Sequence, residues 1–83
     1  MLTIKILGSG CANCNRLEGE VRAALAGTDI EHEIIKVTEY ADIMAYGVLS
    51  TPALVMNETV MSAGRIPKRD QIVGWAQQMQ SAN

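Results

Sequence analysis

The chain has 83 residues, of which 48% are hydrophobic and 19% charged, and its net charge is −2. That composition suits one globular domain over residues 1–83 with a modest core, and it excludes a disordered or fibrous chain. The Lys and Arg residues are dispersed, with Lys68-Arg69 the only adjacent pair, and the apolar runs are short, so neither nucleic-acid binding nor a membrane span is expected. The opening Met1-Leu2-Thr3-Ile4-Lys5-Ile6-Leu7 does not read as a secretory signal, which sets a cytoplasmic location as the expectation.

Residues 2–7 alternate and are rich in aliphatic side chains, so they read as a strand that Gly8-Ser9-Gly10 interrupts. From Asn13 to Ala26, Leu17, Val21, Ala24 and Leu25 recur at helical spacing, and Gly27 ends the helix. Residues 30–37 read as a second strand, whose charged first half suits a sheet edge. Thr38 is placed to cap a short helix from Glu39 to Tyr46, with Gly47 as its stop. Thr51-Pro52 opens a third strand, Ala53 to Met56. Asn57-Glu58 then turns into a fourth, Thr59 to Ala63. A last helix is expected from Pro67 to Gln80, with Ile72, Trp75, Ala76 and Met79 on its apolar stripe and Pro67 in its first turn. The order β-α-β-α-β-β-α implies an α/β fold. Its first two strands should be parallel, its last two an antiparallel hairpin, and all four one mixed sheet flanked by helices.

Aromatic residues are Trp75, Tyr40 and Tyr46, with no Phe, so aliphatic residues and Met must fill the core. Met61, Trp75 and Met79 are assigned to it. Tyr40, Met44 and Tyr46 suit either helix packing or a partner surface. Glu18 is expected to pair with Arg22 at i+4 on a solvated face, although its place one turn after Cys14 also suits proton transfer. Arg16 and His32 read as surface residues.

Cys11 and Cys14 are the two cysteines, three positions apart. A bond between them would close a very small loop and remove little entropy from the unfolded chain, so the pair suits chemistry better than stapling. They fall where the first strand hands over to the first helix. There the helix N-terminus favours a thiolate at Cys11 and shields Cys14 one turn further in. Cys11 is then the residue to attack a disulfide and Cys14 the one to resolve the mixed disulfide. Inert buried thiols are a second reading. Metal capture is a third: His32 is the only further nitrogen or sulfur donor, too few for a closed zinc site, but Cu(I) or a metal shared between chains stays open.

Gly8-Ser9-Gly10-Cys11-Ala12-Asn13-Cys14 after the first strand, Ser50-Thr51-Pro52-Ala53-Leu54-Val55 before the third, and Ala63-Gly64-Arg65 ahead of the last helix resemble the small archaeal and bacterial thioredoxin-like redox-active disulfide proteins. These are glutaredoxin-sized members of the thioredoxin superfamily, and the resemblance covers nearly the whole chain. It implies a thioredoxin-like fold and an oxidoreductase with Cys11 and Cys14 as catalytic residues. It also implies a cis peptide before Pro52 and a Thr51 backbone that pairs with extended substrate. Protein disulfides are the implied substrates, a flavoprotein disulfide reductase the implied electron source, and a monomer without cofactor or resident metal the implied state. The Trp-Cys-Gly-Pro-Cys of thioredoxin and the Cys-Pro-Tyr-Cys of many glutaredoxins are both absent, so no aromatic flanks Cys11. A Cu(I) chaperone and a redox sensor without turnover are the alternative functions. Small copper-carrying domains, however, use a β-α-β-β-α-β order.

Overall fold

The computed structural model of the chain describes residues 1–10 and 12–81; Cys11 and residues 82–83 lie outside the described residues. The elements are β1 (Leu2–Leu7), α1 (Ala12–Ala26), β2 (His32–Val37), α2 (Tyr40–Met44), β3 (Ala53–Met56), β4 (Thr59–Ala63) and α3 (Arg69–Ser81). They form one mixed sheet in the order β2-β1-β3-β4. Strand β1 is parallel to β2 and antiparallel to β3, and β3 is antiparallel to β4. The α/β architecture read from the sequence is the one observed, and β2 takes the edge position its charges suited.

Alternation along the strands sorts side chains onto two faces. Leu2, Ile4, Ile6, Leu54 and Met56 meet Leu17, Val21, Ala24 and Leu25 of α1 and Ile72 and Ala76 of α3. Trp75, Met61 and Met79 pack half-buried against this core. On the opposite face Leu7, Ala53 and Val55 lie under Ile43 of α2 and Val48. Short α2 covers that face only in part. Further along it Lys5 stands against Tyr46 and Glu58, donating to the Tyr46 hydroxyl at 2.7 Å and pairing with the Glu58 carboxylate at 2.6 Å.

Several boundaries differ from the sequence reading. Strand β2 starts at His32 instead of residue 30, because the chain before it spends its polar groups locally. The Thr28 hydroxyl donates to Leu25 O at 2.8 Å and accepts from Ile30 N–H at 3.3 Å. Helix α2 is capped by the extended Glu39 without a side-chain bond, so Thr38 does not cap it. The helix ends at Met44. The next residues tighten into i→i−3 bonds, Tyr46 N–H to Ile43 O and Gly47 N–H to Met44 O, and Gly47 closes the turn at φ 74°. Pro67 is buried ahead of α3 and is not in its first turn. Gln71 instead reaches back to accept from Lys68 N–H at 3.3 Å, which is half of a capping box. The β3–β4 turn has Asn57 and Glu58 both left-handed, at φ 48° and 67°, the geometry that a two-residue hairpin requires. Among the described residues no helix is long and apolar enough to cross a membrane.

Two substitutions test this core from opposite directions. Ile72 is fully buried, so Ile72→Ala should cost about 2–5 kcal/mol. The Ser62 hydroxyl is buried without a hydrogen-bond partner, a defect worth about 1–3 kcal/mol, so Ser62→Ala should stabilise. Urea unfolding measures both; a destabilised Ser62→Ala would mean that the hydroxyl has a partner.

Candidate functional site

Register decides which loops meet. Leu7, the last residue of β1, stands opposite Val37 on one side and Ala53 on the other. Ala53 in turn pairs with Ala63. The residues just beyond these positions therefore gather at one end of the sheet: Gly8, Thr38, Thr51-Pro52 and Gly64. Gly8 N–H continues the ladder to Val37 O at 3.0 Å, and Gly64 N–H donates to Pro52 O at 2.9 Å. The Thr51–Pro52 peptide is cis.

Helix α1 starts at this same end, and its first turn holds no acidic residue to oppose an anion. Cys14, one turn in, is 1% exposed. It is the first member of the buried stripe Cys14, Leu17, Val21, Ala24 and Leu25, so the packing that seats the helix also buries the thiol. A Cβ built on Gly8 would overlap Cys14 Sγ, and would lie 3.3 Å from Cys14 Cβ and 3.8 Å from Thr51 Cβ. Gly8 thus separates Cys14 from Thr51 by the width of a bare backbone. Of the residues singled out in the sequence, Cys14, Thr51 and Pro52 come together here, and Cys11 lies outside the described residues. Gly64, at φ 77°, supports the same loop from behind, where a Cβ would come within 2.8 Å of Ser50 Cβ.

Beside Thr51 runs a groove of about 490 Å³ lined by Ser9, Thr38, Tyr40, Met44, Leu49 and Thr51, among others. Its rim is apolar and open: Tyr40 is 75% exposed and Leu49 94%. The sequence reading left Tyr40 and Met44 between core and surface, and the structure puts both on this groove. It overlooked Leu49. The available signal was an apolar residue in a short loop directly before Ser50-Thr51, where no helix or strand period gives it a core to enter.

The remaining candidates lie elsewhere. Tyr46 bonds Lys5 and Glu58 on the sheet face. The His32 ring meets Ile30 O at 2.9 Å. Glu18 pairs with Arg22 at 2.8 Å and with Lys36 at 3.2 Å. The Arg22 hydrogen bond, followed by that of Lys36, holds the Glu18 carboxyl below the ordinary carboxylate value. A carboxyl held in that way stays ionised and is a poor proton donor to a thiolate. Among the described residues no group of three or more His, Cys, Asp and Glu side chains gathers as a metal site.

Comparison with known proteins agrees with this architecture. The family described as thioredoxin domain matches residues 2–77. A thioredoxin of Methanothermobacter thermautotrophicus is 33% identical over 72 residues, covering 87% of this chain and 94% of its own length. A thioredoxin of Methanocaldococcus jannaschii is likewise 33% identical over 72 residues, 87% of this chain and 83% of its own.

The Glu18 pairing has a signed consequence. Its folded value lies below the ordinary 4.5, so its stabilising contribution is complete above that pH and fades as pH falls through the folded value. Glu18→Gln should narrow its stability gap to the parent chain as pH is lowered from about 6 to about 3, followed by urea unfolding. The pH profile of thiol alkylation should be the same in both proteins; a shifted profile would restore Glu18 to a proton-transfer role.

Proposed function

This chain belongs to the thioredoxin domain family, and from that premise we propose that it is a thiol–disulfide oxidoreductase that works through Cys11 and Cys14 and reduces protein disulfides. The observation that carries the reading is the placement of Cys14: buried one turn into α1, against Gly8, with Thr51 and Pro52 on the far side of that glycine.

The proposed cycle is two consecutive exchanges. The Cys11 thiolate, favoured by the helix N-terminus, attacks one sulfur of the substrate disulfide. That bond breaks, a Cys11–substrate disulfide forms, and the departing thiolate takes up a proton. Cys14 loses its proton and attacks Cys11 Sγ. The mixed disulfide breaks, the second substrate thiol leaves, and a Cys11–Cys14 disulfide remains. The two electrons of the protein dithiol now reside in the substrate dithiol. An external two-electron donor, which we assign to a flavoprotein disulfide reductase, returns the protein to its starting state. Thr51 is exposed beside buried Pro52, so its backbone is accessible to an extended segment of substrate, and the apolar rim of Tyr40 and Leu49 suits a partner with apolar residues near its disulfide. Copper carriage is disfavoured by the element order, which includes α2 between β2 and β3.

A trapping experiment tests the mechanism. Cys14→Ser, challenged with a disulfide-bonded protein, should accumulate a one-to-one adduct through Cys11, seen by mass spectrometry and released by reductant. Cys11→Ser should form none. An absence of adduct with Cys14→Ser would overturn the assignment of the two roles.

A further inference from the structure

Gly8 occupies a place that its backbone does not explain. Gly10, Gly47 and Gly64 have φ of 85°, 74° and 77°, in the left-handed region where glycine is favoured. Gly8 is not in that region, and its N–H stays in the sheet ladder with Val37 O. Any L-residue could adopt its conformation. The exclusion comes from a side chain: a Cβ here would overlap Cys14 Sγ and crowd Cys14 Cβ at 3.3 Å. The helical glycines Gly19 and Gly74, in contrast, have nothing within 4 Å of a built Cβ.

We propose that Gly8 is a positioning residue for the resolving thiol: the missing side chain is the seat of the Cys14 sulfur, and any side chain there displaces the sulfur from its line of attack on the mixed disulfide. The proposal rests on the dithiol reading above and adds to it the group that fixes one of its two sulfurs. Cys14 has one torsion, few rotamers open to it within a helix, and a Cβ fixed by α1. It is also 1% exposed, so the sulfur is packed on its other sides as well. A methyl at position 8 must therefore move the sulfur or push α1 away from β1. Thr51 Cβ, 3.8 Å from the same built atom, leaves little room on the opposite side. Sulfur exchange requires the attacking atom close to and aligned with the bond it breaks, and a displacement of about 1 Å can slow such a step about 100-fold.

The step is directly readable with dithiodipyridine and the reduced chain. The first thiolate attacks the aromatic disulfide, forms a protein–pyridyl disulfide and releases one coloured pyridinethione. Cys14 then attacks Cys11 Sγ, forms the Cys11–Cys14 bond and releases the second. In Gly8→Ala the first release should keep the parent rate, and the second should slow by about 10- to 100-fold. Gly19→Ala, on the exposed side of α1, should leave both phases as they are. Cys14→Ser should release only the first equivalent. If it releases none, the dithiol reading fails. If it behaves as expected but Gly8→Ala shows a parent-like second phase, the role of Gly8 alone is overturned. Unfolding supplies the check should Gly8→Ala fold poorly: its stability loss should disappear in a Cys14→Ala background, which removes the sulfur. An equal loss in both backgrounds would contradict the proposal.

Discussion

The pairing of Leu7 with Val37 on one side and Ala53 on the other is the constraint on which the rest of this molecule depends. Strand side chains alternate, so a shift of one residue would turn Leu2, Ile4 and Ile6 away from α1 and α3. The hydrophobic pattern therefore locks the register, and the register fixes which loops meet. Gly8 leaves β1 just where Pro52 enters β3, and Gly64 leaves β4 just behind it. Residues far apart in the chain become neighbours because apolar strands can pair in only one way without exposing their core.

The helix couples stability to chemistry in the same manner. Cys14 shares a face with Leu17, Val21 and Leu25, so burial of α1 against the sheet carries the sulfur down to the end of β1. The position of that sulfur is then set by what β1 offers there, which is a residue without a side chain. The opposite sheet face is organised by polar contacts as well as apolar ones. Lys5 is held between the Tyr46 hydroxyl and the Glu58 carboxylate, which ties the turn after α2 to the β3–β4 hairpin. The hydrogen bonds from Lys5 to Glu58 and Tyr46, in that order, raise the ammonium above its ordinary value, so it stays charged throughout the neutral range.

Much of this was legible in the sequence where a signal is local. Strand β1 could be read from alternation, the β3–β4 turn from Asn57-Glu58, and α1 from its apolar spacing. Helix α2 was harder, because a five-residue helix carries little period and its ends depend on what it packs against. Thr38 has the right chemistry for a cap, yet it lines the groove, a matter of tertiary placement. The glycines before Cys11 were read together as turn formers. Gly10, left-handed at φ 85°, fits that reading, whereas Gly8 serves a sulfur six residues away. No window of sequence distinguishes those uses, because the second exists only once α1 is docked. The groove was hidden for the same reason: exposure of Leu49 is a property of the assembled loops.

The central claim is that Cys11 and Cys14 form one reversible two-electron couple. Its most direct test is equilibration of the chain with glutathione buffers of graded oxidised-to-reduced ratio, followed by acid quench, alkylation of the remaining thiols and mass spectrometry. The account predicts a single transition in which both thiols lose their alkyl tags together and regain them when the ratio is reversed. Thiols that stay alkylatable at every ratio, or that end as separate glutathione adducts, would contradict it.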